Sequence, residues 1–234
     1  MNSENSSLIF RHLDYASLNY SPIIVEKYYV ASWRLATPWL SPSRDFAFGF
    51  QKSRDKDTFL LSIWYCKIPD PTIVWYGNEG TAVPRDSRVE LNADRGLVLS
   101  DPQGKELWNS ESIVDVVANG FMNDTGKFVL VGGDSANLWE SFKYPTDTIL
   151  PAQVMETDGV LYSRQAEANF SKGRFQLRLL NDGNLVLNTQ NVPSNIAYDA
   201  YYTSGTYDES NSSNSGYQVI FNETGHMYIL RRNG

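Results

Sequence analysis

Short runs of apolar and aromatic residues, separated by polar turns, recur along the chain from about residue 39 onward. Phe128–Val131 is a continuous run of such residues, whereas apolar and polar residues alternate in Gly173–Leu180. The first pattern is typical of a buried β-strand and the second of a half-buried one. Turns rich in Asn, Asp and Gly, such as Asn181–Gly183, separate these runs and predict hairpins. The pattern therefore predicts an all-β protein.

A unit of strand, turn and returning strand recurs about every 30 residues. LWNS at 107–110 and LWES at 138–141 match at three positions of four, and IVWYGNEG at 73–80 is a looser copy. The tryptophans at 75, 108 and 139 are therefore 33 and 31 residues apart. A sheet of this size cannot bury its apolar face alone. We therefore expect three such sheets to face one another, with Trp75, Trp108 and Trp139 as structural core residues at their common axis.

Composition and charge exclude several classes of function. The net charge is −7 with no long charged run, which gives no electrostatic footprint for nucleic acid. His12 and His226 lack Cys or carboxylate partners at ligand spacing, so we expect no metal site, and nothing indicates a cofactor. The sequence contains no phosphate-binding glycine loop, no kinase motif and no carboxylate pair that could be nominated for glycoside hydrolysis. We therefore expect no enzymatic activity.

Export signals in the sequence are mixed. No stretch approaches 18 apolar residues, so we expect no transmembrane segment, and residues 1–37 lack the pattern of a signal peptide. Asn-x-Ser/Thr sequons give weak support for a secreted protein. They occur at Asn5, Asn19, Asn123, Asn169, Asn211 and Asn222, of which the last four are the glycosylation candidates.

Several blocks resemble the extracellular part of plant receptor-like kinases of the G-type, or bulb-type, lectin class. They include WLSPSRDFAFGF, NLWESFKYPTDTILP and GRFQLRLLNDGNLVLN, and the resemblance extends from about Trp39 to Gly234. It implies tandem modules of the β-prism II type, each with three small sheets around a pseudo-threefold axis. On this basis we expect an atypical N-terminal segment at 1–37, a bulb-type lectin domain at 38–145, and a second, truncated lectin-like domain at 152–234.

The family's sugar motif is Gln-x-Asp-x-Asn-x-Val-x-Tyr on a single strand. Side chains two residues apart share a strand face, so the polar groups could bind mannose hydroxyls while Val contacts the ring carbons. The fullest copy is Asp182, Asn184 and Val186, with Leu180 and Asn188 where the family has Gln and Tyr, and we expect any sugar to bind there first.

Two further copies of the motif are less complete. One comprises Asn92, Asp94 and Val98, and the other retains only Val129. Asp94, like Asp182 and Asn184 in the fullest copy, stands in or beside a turn and could instead serve the turn itself. No copy is complete, so any sugar binding should be weak.

Two functions remain open at the level of sequence. One is weak or degenerate recognition of a mannose-type glycan or glycoprotein by a lectin module. The other is protein recognition or dimerisation without sugar binding, through a homodimer or a receptor partner. The resemblance implies an extracellular or plasma-membrane-associated location, although the chain shows no signal-peptide pattern.

Overall fold

The computed structural model describes residues 27–30, 38–54, 56–111, 113–192 and 194–233, with the backbone alone for 27–30. The segment predicted at 1–37 therefore lies almost wholly outside the described residues. The described part consists of β-strands and three single-turn 3-10 helices, at Asn78–Gly80, Ser141–Lys143 and Ser212–Asn214, and it contains no α-helix. The all-β class predicted from the sequence is confirmed.

Twelve described strands lie between residues 27 and 140. They are β1 (Lys27–Val30), β2 (Trp39–Leu40), β3 (Phe46–Lys52), β4 (Thr58–Tyr65), β5 (Thr72–Tyr76), β6 (Val83–Pro84), β7 (Arg88–Asn92), β8 (Gly96–Ser100), β9 (Glu106–Asn109), β10 (Val117–Met122), β11 (Phe128–Gly132) and β12 (Asn137–Glu140). They form three antiparallel sheets, in the orders β1-β7-β8-β9, β2-β3-β4-β5 and β10-β11-β12, with β6 paired to β4. We call these strands the three-sheet unit.

The three sheets share one core, because each buries an apolar face against the other two. Phe48 of β3 and Phe128 of β11 stack with ring centroids 4.4 Å apart, and both side chains are fully buried. Leu97 and Leu99 of β8 complete the core from the remaining sheet. Three small sheets packed around a common core are consistent with the expected β-prism.

Seven strands follow residue 152. They are β13 (Gln153–Glu156), β14 (Val160–Ala166), β15 (Asn169–Leu179), β16 (Leu185–Asn191), β17 (Ile196–Thr203), β18 (Gly216–Phe221) and β19 (Met227–Arg231). They form two sheets, β13-β18-β19 and β14-β15-β16-β17, which we call the two-sheet unit. Its core is small and consists of Met155, Leu161, Leu179 and Val219. Within the described residues this unit has one sheet fewer than the first, and β17 and β19 lie at sheet edges.

The two units are docked where the first 3-10 helix meets β15. Gly80 packs so closely there that a Cβ atom would lie 2.0 Å from the carbonyl oxygen of Phe170. Beside this contact, Lys172 Nζ lies 2.5 Å from Glu79 Oε1. Only glycine, which has no Cβ atom, allows the two backbones to approach so closely. Gly80 is therefore required for this packing of the two units.

A buried ion pair supports the same interface. Residues 144–151 form a connector between the units. The carboxylate of Asp147 in this connector is almost fully buried and pairs with the guanidinium of Arg164 on β14. Burial raises the pKa of Tyr76 far above its ordinary value of 10, and the negative charge of Asp147 raises it further. Tyr76 therefore stays neutral, with its ring edge-on to that of Phe170 at a centroid distance of 5.3 Å.

Two features are absent from the described residues. None of the helices there has the length and apolar character needed to cross a membrane. Over the same residues, no group of three or more His, Cys, Asp or Glu side chains could hold a metal ion.

Candidate functional site

The three repeated tryptophans meet at one end of the three-sheet unit. The ring centroid of Trp75 lies 6.0 Å from those of Trp108 and Trp139, which are 6.5 Å from each other, and all three pairs are edge-to-face. Trp75 and Trp139 are buried, whereas Trp108 is half-buried. Trp75 Nε1 donates a hydrogen bond of 2.8 Å to the carbonyl oxygen of Tyr144, whose ring stacks on Trp139. The cluster thus fixes the start of the connector to the two-sheet unit.

The fullest copy of the sugar motif lies at the start of β16, and most of it faces protein rather than solvent. Asn184 and Val186 are 6% and 3% exposed, whereas Asp182 is exposed in the preceding turn. The Oδ1 atom of Asn184 already accepts hydrogen bonds from Ser204 Oγ at 3.1 Å and from the Gly205 N–H at 3.0 Å. Asp182 Oδ1 accepts from the Asn184 N–H at 2.9 Å. These polar groups therefore organise two turns in the structure.

Further along the same face of β16, amide side chains form a buried ladder. Gln176 Nε2 donates to Gln190 Oε1 at 2.6 Å, and Asn188 Nδ2 donates to Gln176 Oε1 at 3.1 Å. Gln190 Nε2 continues the ladder to the carbonyl oxygen of Gly173 at 2.8 Å. Sequence reasoning missed this ladder, although Asn188 and Gln190 stand two residues apart and so share a face. Asn188, in the place of the family's Tyr, is thus held inside the protein.

The second copy of the sugar motif lies on β7 and β8, and its polar residues are exposed to solvent. Asn92 and Asp94 are exposed at the hairpin turn, and Asn92 Oδ1 accepts hydrogen bonds from the N–H groups of Asp94 and Arg95. Val98 pairs with Glu90 of β7 and with Asn109 of β9. Since Glu90 and Asn92 are two residues apart, Asn92 and Val98 belong to one face of this sheet. The two polar residues are therefore exposed to solvent, whereas Val98 is largely buried, at 8% exposed.

The third copy, around β11, offers little polar chemistry. Val129 is fully buried, and it pairs with Glu140 of β12. Lys127 Nζ lies 3.0 Å from Glu140 Oε2, and both side chains are largely buried. A lysine held in an ion pair therefore stands where the motif has the neutral amide of Asn.

The predicted glycosylation sites differ in exposure. Asn169 and Asn211 are exposed, whereas Asn123 and Asn222 are half-buried. The side-chain oxygens of Asn169 and Asn211 each accept a local backbone N–H two residues later. Asn5 and Asn19 lie outside the described residues. Exposure thus ranks Asn169 and Asn211 first among the four candidates.

Comparison with known proteins points to one family. The sequence profile of the D-mannose binding lectin family matches residues 72–165. A G-type lectin S-receptor-like serine/threonine-protein kinase of Arabidopsis thaliana is 46% identical over 213 residues, which are 86% of this chain and 25% of that protein. A protein of the same description from Oryza sativa subsp. indica is 44% identical over 206 residues, 84% of this chain and 24% of its own length.

The chain spans about a quarter of the length of these relatives. The match covers all three tryptophans of the cluster and the connector that follows them. The chain therefore belongs to the bulb-type lectin family, in the form in which that family occurs in plant G-type lectin S-receptor-like kinases.

Proposed function

We propose that the chain is a non-catalytic, extracellular recognition module that binds mannose-type glycans weakly through the outer face of β7 and β8. We also propose that residues 38–145, together with the paired strand Lys27–Val30, and residues 152–234 are two lectin modules, the second with two sheets in its described residues. The observation that carries the glycan proposal is the exposure of Asn92 and Asp94 at one hairpin turn, with Val98 on the same sheet face but largely buried. An extracellular place is supported by the receptor-like kinases to which the chain is similar.

The fold itself explains why this site should be weak. Gly96 stands where the motif has Asn, and a Cβ atom there would lie 2.2 Å from Ser110 Oγ and 2.9 Å from a methyl carbon of Leu130. Its φ of +69° also favours glycine. Ser100 replaces Tyr. Each lost hydrogen bond weakens binding by about 1 kcal/mol, so two make it roughly 30-fold weaker.

A titration with mannotriose tests this assignment. Asp94→Ala should weaken binding about three- to tenfold, since one hydrogen-bonding group is lost. Asp182→Ala is the matched control. It also removes an exposed turn aspartate, but from the motif copy whose Asn184 is buried, so binding should not change. If Asp182→Ala weakens binding and Asp94→Ala does not, the sugar site lies at the start of β16 instead. No saturation by the unmodified chain up to about 100 mM sugar, above the millimolar range of weak sites, would reject glycan binding here.

One observation favours the alternative of dimerisation through β17. This edge strand exposes Tyr198, Tyr201 and Tyr202, with Tyr201 60% exposed. An open strand edge can pair with the same edge of a second copy. Light scattering after size-exclusion chromatography should then show a concentration-dependent dimer that Tyr201→Glu abolishes. A monomer at every concentration would exclude this alternative.

A further inference from the structure

The docked units enclose a cleft at the end of the tryptophan cluster, with a volume of about 780 Å³. Trp108 and Tyr144 line it from the three-sheet unit and the connector, and Tyr162 lines it from the two-sheet unit. Clefts that bind small ligands typically measure roughly 300–1,000 Å³ and combine apolar surface with a few polar groups. We propose that this cleft is a second ligand site, and that it binds a neutral oligosaccharide of two or three sugar rings.

The floor of the cleft is a fixed aromatic surface. Tyr144 is 44% exposed, and its ring lies nearly parallel to that of Trp139 at an angle of 11°. Its backbone is held by the hydrogen bond from Trp75 Nε1. Trp108, which is half-buried, stands edge-on to both buried tryptophans. A rigid aromatic surface suits the C–H face of a pyranose ring, because apolar contact is gained there with little loss of side-chain freedom.

Polar side chains also line the cleft. Lys143 offers a cation, and Glu111 and Asp158 offer carboxylates, whereas the amides of Asn78 and Asn109 already make hydrogen bonds within the protein. These groups can donate to and accept from sugar hydroxyls. A wholly apolar ligand would displace water from the three charged groups without offering a hydrogen bond in return, which is unfavourable.

Charge pairing at the rim favours a neutral ligand. Glu79 is paired with Lys172, and Glu106 is paired with Arg95. Both signs of charge occur around the opening, so the rim presents no field of one sign that would select an anion or a cation. Polyhydroxylated rings are the ligand class that combines apolar faces with neutral polar edges.

This site differs from the hairpin site, although the two share a border. Asn109 lines the cleft and is also the residue of β9 that pairs with Val98. Asn92 and Asp94 are not among the residues that line the cleft. Ligand binding in the cleft therefore does not depend on glycan binding at the hairpin of β7 and β8.

Indole N–H resonances of the unmodified chain give the first test. Mannotriose, cellotriose and triacetylchitotriose are titrated separately, and the ¹⁵N–¹H signals of the tryptophans are followed. At least one probe should shift the signals of Trp75 and Trp108 saturably, while those of Trp39 and Trp64, which do not line the cleft, remain in place. No saturable shift with any probe up to about 10 mM, or a uniform shift of all signals, would overturn the proposal.

Variants then separate the two sites. Tyr144→Ala should weaken binding of the active probe about tenfold, equivalent to about 1.4 kcal/mol. Tyr198→Ala removes an exposed tyrosine of β17 and is the matched control, with no expected change. Asp94→Ala should leave the shift of Trp108 intact even where it abolishes binding at the hairpin. If Asp94→Ala removes the Trp108 shift and Tyr144→Ala does not, the cleft is not a site.

Discussion

Replacing Gly80 with alanine tests the docking of the two units directly. Gly80 has a φ of +76°, and a Cβ atom there would lie 2.0 Å from the carbonyl oxygen and 2.4 Å from the carbonyl carbon of Phe170. Both are backbone atoms of β15, so no side-chain rotation can relieve the overlap. Ordinary C···O contacts are about 3.3 Å, so the two backbones must separate by more than about 1 Å.

The magnitude can be worked out against a matched glycine. Gly104 has a similar φ of +83°, but a Cβ atom there would meet nothing within 4 Å. Both substitutions therefore carry the left-handed strain of alanine, about 1–2 kcal/mol. Only Gly80→Ala adds the overlap with Phe170, and overpacking of this kind lowers stability by about 1–3 kcal/mol. The difference between the variants therefore measures the cost of the overlap at the contact between the two units.

Small-angle X-ray scattering and urea unfolding measure the two consequences. Gly80→Ala should increase the radius of gyration as the units separate, whereas Gly104→Ala should leave it unchanged. Gly80→Ala should also be less stable than Gly104→Ala by about 1–3 kcal/mol. Identical scattering curves and equal stabilities for the two variants would refute the reasoning, because the interface would then not depend on the contact at Phe170.

Three other predictions follow from buried or bonded groups. Trp139→Ala removes a buried indole that contacts three aromatic rings. It should lower the free energy of unfolding, measured in urea, by about 3–5 kcal/mol. A decrease of less than about 1 kcal/mol would contradict this prediction. Asn184→Ala should lower the free energy of unfolding by about 1–3 kcal/mol, because it removes the acceptor of the Ser204 hydroxyl and of the Gly205 N–H. An unchanged unfolding curve would show that these bonds do not stabilise the fold. The Ser43 N–H, which donates to Asp124 Oδ1 at 2.7 Å, holds the pKa of Asp124 below its ordinary 3.8. That stabilisation is present at neutral pH and is lost as pH falls below about 4 through the lowered pKa, so Asp124→Ala should reduce the thermal midpoint more at pH 7 than near pH 2.

The all-β class and the repeated sheets could be predicted from the sequence alone. Alternation of apolar and polar residues, and turns rich in Gly, Asn and Asp, are local properties, and each acts within a few neighbouring residues. The nearly equal spacing of the three tryptophans also predicted that the sheets surround a common core, because a repeat places equivalent residues of successive sheets at equivalent positions. The observed rings of Trp75, Trp108 and Trp139 lie 6.0–6.5 Å apart.

Tertiary structure alone decided which strand faces are open. The motif at Asp182–Val186 is the fullest in sequence, yet Asn184 is buried because the turn at 204–205, some twenty residues later, donates hydrogen bonds to it. The poorer motif at Asn92–Val98 keeps its two polar members in solvent. The cleft beside Trp108 likewise exists only because the two units dock. Burial depends on what packs against a face from elsewhere in the chain, and no local pattern of residues encodes that.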